Sequence, residues 1–441
     1  MGAPVIGHTL SIFTMKSVTW RGPLQHAWFF VSFALIPLCM AIAIPAFGQV
    51  QESSTGVLPQ QSGTPTLSQA LEAAWQKSLE VPESRGRQAR ALADQAVSQS
   101  WLAGAPALSL GQRQGLSGTA TGGGETELEV ALPLWRPGQR FAGGQAAQSQ
   151  AVWASAFEQV ERLRLAGRVR ESMMALHLAE AELRQVQRQV ETLGQLEEDV
   201  QRRVRGGDLA PADALAARSE WLAAKSQANS ADQALATAQA QWRLLTGLPP
   251  VKYSVSVAPA VSQFPDTHPE LILASAAVDL GQRRANLARV EGMESPEVTL
   301  GMRHERAGQG SGSQSSVVVG IRLPVGGQIY QQPRIAVAMS ELDLAQTQAQ
   351  RTRERLQADW ALAQSQLSQS LVQLQTERER ASLLGERARL IDQSFRAGET
   401  ALPEMLRALA AAHSAESAFA RQQINYQLAI TRLEQALGIL P

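Results

Sequence analysis

Two long segments of the chain carry a helical pattern of apolar positions. In the segment 139–205, apolar residues recur every three, four or seven positions: Val169, Met173, Leu176, Leu183, Val186, Val190, Leu193, Val200 and Val204. The segment 333–396 has the same spacing at Leu356, Trp360, Ala363, Leu367, Leu371 and Leu374. This spacing predicts two helices with a coiled-coil-like apolar stripe. At about 1.5 Å per residue, each would be on the order of 100 Å long.

A glycine turn follows each predicted long helix. The two turns read RGGDLAP and RAGETALP, and return helices are predicted over 210–246 and 402–437. Pro211 and Pro403 fall in the opening turns of the return helices, where a missing backbone N–H is tolerated. The pattern therefore predicts two helical hairpins, each with a tight tip.

Four short segments alternate instead between apolar and polar residues. They are 105–113, 126–135, 295–303 and 317–325. A period of two predicts β-strands with one apolar and one polar face. On the polar face, which would line the lumen of a barrel, we expect Glu127 and Glu129 of the second strand and Arg322 of the fourth. A membrane barrel with lipid outside and water inside has such strands, and so does a soluble sheet with one face on a core.

The strands and hairpins occur in two copies. Gly207 and Gly398 are 191 residues apart, and the same offset separates Leu215 from Leu406 and Gly247 from Gly438. A constant offset between distant segments indicates a tandem duplication. We therefore divide the chain after residue 65 into a first repeat, 66–250, and a second repeat, 251–441.

The N-terminal region has the features of a secretory signal. Lys16 and Arg21 precede an apolar run over 27–47, which ends in small residues. We interpret 1–48 as a signal peptide and the polar segment 49–65 as a flexible linker. An uncleaved membrane anchor is the alternative, although two prolines interrupt the apolar run. Secretion favours the membrane barrel, and three copies of four strands would give twelve strands, enough to close it.

Composition and motifs argue against several classes of function. The 441 residues have no net charge, so there is no electrostatic case for nucleic acid as a partner. The six histidines are scattered without metal-site spacing, and no nucleophile or phosphate-binding motif occurs. The single cysteine, Cys39, lies in the predicted signal peptide. We therefore expect neither an enzyme nor a cofactor or metal site.

These motifs, in this order, resemble the TolC-type outer-membrane efflux proteins of Gram-negative bacteria. The resemblance covers about residues 66–441 and rests on three pairs of motifs. The strand ends read PALSLG and VALPLW against PEVTLG and IRLPV, the tips RVRGGDLAPADAL against SFRAGETALPEML, and the closures LLTGLPP against QALGILP. The two repeats are compact and have no large insertions, and in this the chain is similar to the CzcC-like heavy-metal efflux branch of the family.

The family implies a mostly α-helical homotrimer in the outer membrane. It would form a 12-stranded β-barrel continued by an α-helical tunnel through the periplasm. Such a protein is a passive exit duct of tripartite efflux or type I secretion, with a periplasmic adaptor and an RND-type inner-membrane transporter as partners. Metal cations, drugs and secreted polypeptides all stay open as cargo. The alternative is a periplasmic adaptor or a structural coiled-coil protein.

The resemblance also implies roles for residues at the tips. The adaptor would dock there, on the residues Gly207, Asp208, Leu209, Gly398, Glu399 and Thr400. Family members narrow the tunnel partly with acidic side chains early in the second return helix. The matching position is Glu404, and its counterpart in the first repeat is Asp213. Arg407 stands where relatives can carry a second acid, which leaves at most a single ring of Glu404. A carboxylate near a helix N-terminus can also serve only to complement the helix dipole.

Overall fold

The computed structural model describes residues 65–114, 123–251, 257–261, 263–291, 294–306, 312–325 and 328–441. All of these lie in one compact unit, Ser62–Pro441. The predicted signal peptide, with Cys39, and all of the predicted linker except its last residue lie outside the described residues.

Seven helices and four strands make up the described chain, in an order that largely repeats. The first series is α1 (Leu67–Lys77), α2 (Glu80–Gln99), β1 (Ala107–Gln114), β2 (Gly124–Pro133), α3 (Gln139–Gly206) and α4 (Pro211–Thr246). The second is α5 (Pro269–Glu291), β3 (Glu297–Arg306), β4 (Ser313–Arg322), α6 (Gln328–Arg396) and α7 (Leu402–Ala436). The predicted hairpins and strands are confirmed, whereas the boundary between the repeats at residue 250 stays a prediction.

The long helices match their predicted bounds except at the start of α6. That helix begins at Gln328, five residues before the predicted start at 333, and includes Pro333. Pro333 is the sixth residue of the helix, so its missing N–H leaves the carbonyl of Ile329 without its usual acceptor bond. The helix nevertheless continues through the proline.

The four strands form one antiparallel sheet in the order β1-β2-β3-β4. Each hairpin pairs internally, and β2 of the first repeat pairs with β3 of the second. The register places apolar side chains next to one another in rows across the sheet. One such row contains Leu108, Val130, Leu300 and Val319.

The helices pack around α3, which contacts α1, α2, α4, α5 and α7. Near the tips, α4 packs on α3 and α6 packs on α7, so that the contact of α3 with α7 joins the two hairpins. We call this contact the inter-hairpin seam. A tip core fills it with residues from both hairpins: Leu193, Leu196, Val200, Ala217, Ala224, Ala388, Phe395, Leu402, Met405, Ala408, Leu409 and Ala412.

A buried arginine also joins α3 to the end of the chain. Arg170 on α3 is only 2% exposed. It donates hydrogen bonds to the side chain of Gln435 (3.1 Å) and the carbonyl of Ile439 (2.9 Å), and it lies 3.4 Å from Glu434. Burial lowers the pKa of Arg170, and the charge of Glu434 opposes that shift. The contact fixes the segment after α7 on the first repeat.

Candidate functional site

The sheet has one apolar and one polar face, as the alternation predicted. Its apolar face is largely uncovered: Val317, Val319 and Ile321 on the edge strand β4 are 74%, 67% and 70% exposed. The same face continues across the sheet through exposed Leu108, Leu110, Leu128, Leu300 and Met302. An exposed apolar surface of this extent indicates contact with another apolar phase or molecule.

The opposite face carries the charges. Glu127 lies between Gly111 and Arg303, and Glu129 lies between Ser109 and Gly301 in the same register. Nearby, Glu125 forms ion pairs with Arg303 and with Arg113, the latter at 4.0 Å.

Arg322 lies on the same polar face, at the end nearest the helices. It forms ion pairs with Glu294 (3.0 Å) and Glu297 (3.8 Å). The three residues predicted for this face therefore share it, with Arg322 apart from the two glutamates.

The two tips have the same backbone geometry. Gly207 and Gly398 adopt left-handed φ values of 87° and 80°. In both turns the next N–H bonds a carbonyl five residues earlier: Asp208 to Arg203 (2.9 Å) and Glu399 to Ser394 (3.0 Å). This pattern satisfies the last carbonyls of each long helix and reverses the chain within a few residues.

The side chains around the glycines differ between the tips. Asp208 is exposed, whereas Leu209 is partly buried against the tip core. In the second tip, Thr400 and Ser394 share a hydrogen bond of 2.7 Å, and the Ser394 hydroxyl donates to Glu399 at 3.4 Å. The second tip is thus internally cross-linked by side chains.

Asp213 lies in the first turn of α4 and binds its own helix start. Its carboxylate accepts a hydrogen bond from the N–H of Ala210 at 3.3 Å, while its own N–H donates to the Ala210 carbonyl at 3.0 Å. A carboxylate in this position satisfies a backbone donor that the helix leaves free.

Glu404, the equivalent residue of α7, has different partners. Its two carboxylate oxygens accept from Arg387 of α6 (3.1 Å) and from Arg407 of α7 (2.9 Å). The two arginines therefore flank one of the two carboxylates predicted for a gate. The residue pattern did not single out Arg387. The signal that could have found it is its position on the other side of the second tip, 17 residues before Glu404.

Other kinds of site find no support in the described part of the chain. The residues that the structure describes contain no group of three or more His, Cys, Asp or Glu side chains able to hold a metal ion. No helix among them combines the length and the apolar character needed to cross a membrane.

Comparison with known proteins gives structural neighbours only. No protein-family model matches the chain, and no curated protein matches it. Among solved structures, CusC, studied for its folding and transmembrane channel formation, gives a TM-score of 0.69 at 16% identity. The match covers 85% of this chain and 92% of CusC.

Two further channels give similar values. VceC, an outer membrane protein of Vibrio cholerae, has a TM-score of 0.68 at 14% identity, over 84% of this chain and 96% of its own. The open-state MtrE outer membrane channel of Neisseria gonorrhoeae has a TM-score of 0.65 at 17% identity, over 85% and 89%. The protein therefore has the fold of the TolC-type outer membrane channels, which the resemblance of its motifs predicted.

Proposed function

We propose that this protein is an outer-membrane exit duct, a passive export channel of a tripartite efflux or type I secretion system. The observation that carries the proposal is the uncovered apolar face of the sheet, backed by a face of ion-paired charges. A barrel wall needs this arrangement, because its outer surface meets lipid and its inner surface meets water. The structural neighbours are channels rather than enzymes, which agrees with a transport role.

The open edges of the sheet support a trimer. The outer edges of β1 and β4 present unpaired backbone groups, which cannot persist in lipid. Pairing β4 of one copy with β1 of the next would remove every edge, and three copies would give a barrel of twelve strands. The paired hairpins beneath would then line a tunnel into the periplasm of a Gram-negative cell.

The tips support docking of the other two components. The residues at the turns, Asp208 and Glu399 among them, are exposed at the end of the helices furthest from the sheet. We propose that a periplasmic adaptor contacts the tips and couples the duct to an RND-type inner-membrane transporter. The duct would need no cofactor and no nucleic acid.

The alternative, an adaptor or a structural coiled-coil protein, does not account for the sheet. Neither function requires four strands with an apolar outer face. Metal cations, drugs and polypeptides are all candidate cargo.

Reconstitution in planar lipid bilayers tests the proposal. We expect the mature protein, purified in detergent, to give discrete single-channel currents. Deleting the gene should lower the efflux of at least one substrate, and the intact gene should restore it. A protein that neither conducts nor supports efflux would contradict the proposed function.

A further inference from the structure

A buried histidine lies at the inter-hairpin seam with no hydrogen-bond partner for its ring. His413 on α7 is 9% exposed. Within the described part of the chain, neither of its ring nitrogens has a hydrogen-bond partner. A buried polar group without a hydrogen-bond partner destabilises the packed state. The first repeat has Leu222 at the equivalent position, 191 residues earlier, so the imidazole belongs to the second repeat alone.

Nearly every acid around the ring is already engaged. His413 lines a cleft of about 570 Å³ between α3, α6 and α7, with Asp199 on α3 and Asp392 on α6. Asp199 pairs with Arg202 (3.1 Å) and Arg203 (3.0 Å), and Asp392 pairs with Arg396. The basic groups of the cleft are Arg202, Arg203, Arg389 and Arg396.

Glu416, one turn along α7, is the nearest carboxylate to the ring. Its oxygen lies 3.9 Å from Nδ1 of His413, but it accepts a hydrogen bond of 2.7 Å from the buried amide of Gln185 on α3. Gln185 in turn accepts from Arg188. The Gln185 amide and the His413 ring therefore share one carboxylate, and the positive charge of Arg188 repels a protonated ring.

We propose that His413 is an acid-sensitive lock on the inter-hairpin seam, whose protonation loosens the packing of α7 on α3 near the tips. The neutral ring fits the packed seam. The charged ring would be buried there with Glu416 as its nearest counter-charge, at 3.9 Å and beyond hydrogen-bond distance, and it is better solvated when the hairpins separate. An effect of this protonation on channel gating rests on the proposed function. The loosening of the seam itself does not.

The direction of the pH effect follows from linkage. Burial lowers the pKa of His413 below its ordinary 6.5; the charge of Glu416 opposes this shift and that of Arg188 adds to it. The separated state therefore binds the proton more tightly than the packed state. The packed seam has its full stability above about pH 6.5 and loses it as the pH falls toward the lowered value. One proton changes the ratio of separated to packed seams by up to about tenfold per pH unit.

Hydrogen exchange at pH 7.5 and 5.5, corrected for the intrinsic pH dependence of exchange, tests this on the intact detergent-solubilised protein. Peptides covering 185–200 and 405–420 should lose protection several-fold at pH 5.5, while peptides from 140–160 should not. His413→Leu, which supplies the side chain of the first repeat, should abolish the loss, and so should His413→Gln. His304→Gln, at an exposed histidine on β3, should retain it.

A channel recording then separates the inference from the proposed function. We expect acid to raise the open probability of wild-type channels and not of His413→Leu channels. If the seam responds to acid but no current is seen, the proposed function is contradicted and the lock stands. If protection is the same at both pH values, or if both His413 variants respond like the wild type, the lock is wrong.

Discussion

At the scale of single residues, the two tip glycines differ in backbone conformation from glycines inside the helices. Gly207 and Gly398 have positive φ, whereas Gly385 lies inside α6. A Cβ at any of the three would meet no other atom within 4 Å. A substitution at these positions therefore tests conformation and not packing.

We predict that Gly207→Ala and Gly398→Ala each cost about 1 kcal/mol or more, because a side chain disfavours the left-handed conformation. The matched control, Gly385→Ala, should stabilise by about 0.5–1 kcal/mol, as alanine does within a helix. Thermal unfolding measures both. The trimer should still form, and coupling to the adaptor should weaken in the two tip variants only. Equal effects at all three positions would contradict a special role of the turns.

Glu404 is the second case at the residue scale. Its ion pairs are compatible with a role in a gate and with a purely structural role. We predict that Glu404→Gln leaves assembly intact and changes single-channel conductance or divalent-cation block, since it leaves Arg387 and Arg407 without their shared carboxylate. Asp213→Asn, at the equivalent position of the first tip, is the control and should change stability only. If Glu404→Gln channels conduct like the wild type, Glu404 has a purely structural role.

Arg170 tests a buried contact between distant parts of the chain. We predict that Arg170→Met destabilises the protein by about 3–5 kcal/mol, because Glu434 and the Ile439 carbonyl lose a buried partner. The control is Arg421→Met, which breaks the surface pair of Arg421 with Glu182 (3.5 Å) and should cost less than about 1 kcal/mol. Denaturant unfolding in detergent gives both values, and equal losses would contradict the role assigned to Arg170.

At the scale of elements, the sheet assigns opposite environments to neighbouring residues of β2. Val130 belongs to the apolar face and Glu129 to the polar face. We predict that Val130→Arg reduces the amount of assembled trimer, since a cation on the lipid face costs about 2–4 kcal/mol near the midplane. Glu129→Gln should assemble normally and alter ion selectivity.

Gel filtration and bilayer recording distinguish the two variants. The same assembly defect in both would mean that the faces are assigned the wrong way or that the sheet does not meet lipid. Ile321→Arg, on the edge strand β4, should repeat the defect of Val130→Arg.

At the scale of the whole molecule, the single chain is incomplete as a barrel. Its sheet has two open edges and an uncovered apolar face. We predict that the mature protein is a homotrimer that requires detergent. Mass measurement by light scattering, corrected for bound detergent, checks this directly. A stable, water-soluble monomer would contradict both the trimer and the barrel.

The sequence by itself determined the local elements. It predicted the bounds of α3 and α7 within a few residues. It also predicted the glycines that end the long helices and the two faces of the strands. Each depends on interactions between near neighbours in the chain. A helix repeats its apolar positions every three or four residues, a strand alternates every two, and a left-handed turn requires a residue without a Cβ.

Only the tertiary structure decided which of these elements meet. It paired β2 with β3 across the repeats, placed Arg387 against Glu404 and fixed the chain end on Arg170. It also buried His413 beside α3, where the ring has no hydrogen-bond partner among the residues that the structure describes. The sequence pattern marked Glu404 as a carboxylate in the first turn of a helix, with Arg407 three residues later, but nothing in that pattern placed Arg387 beside it. Contacts between residues far apart in the chain depend on how whole helices are packed, and local periodicity does not encode that arrangement.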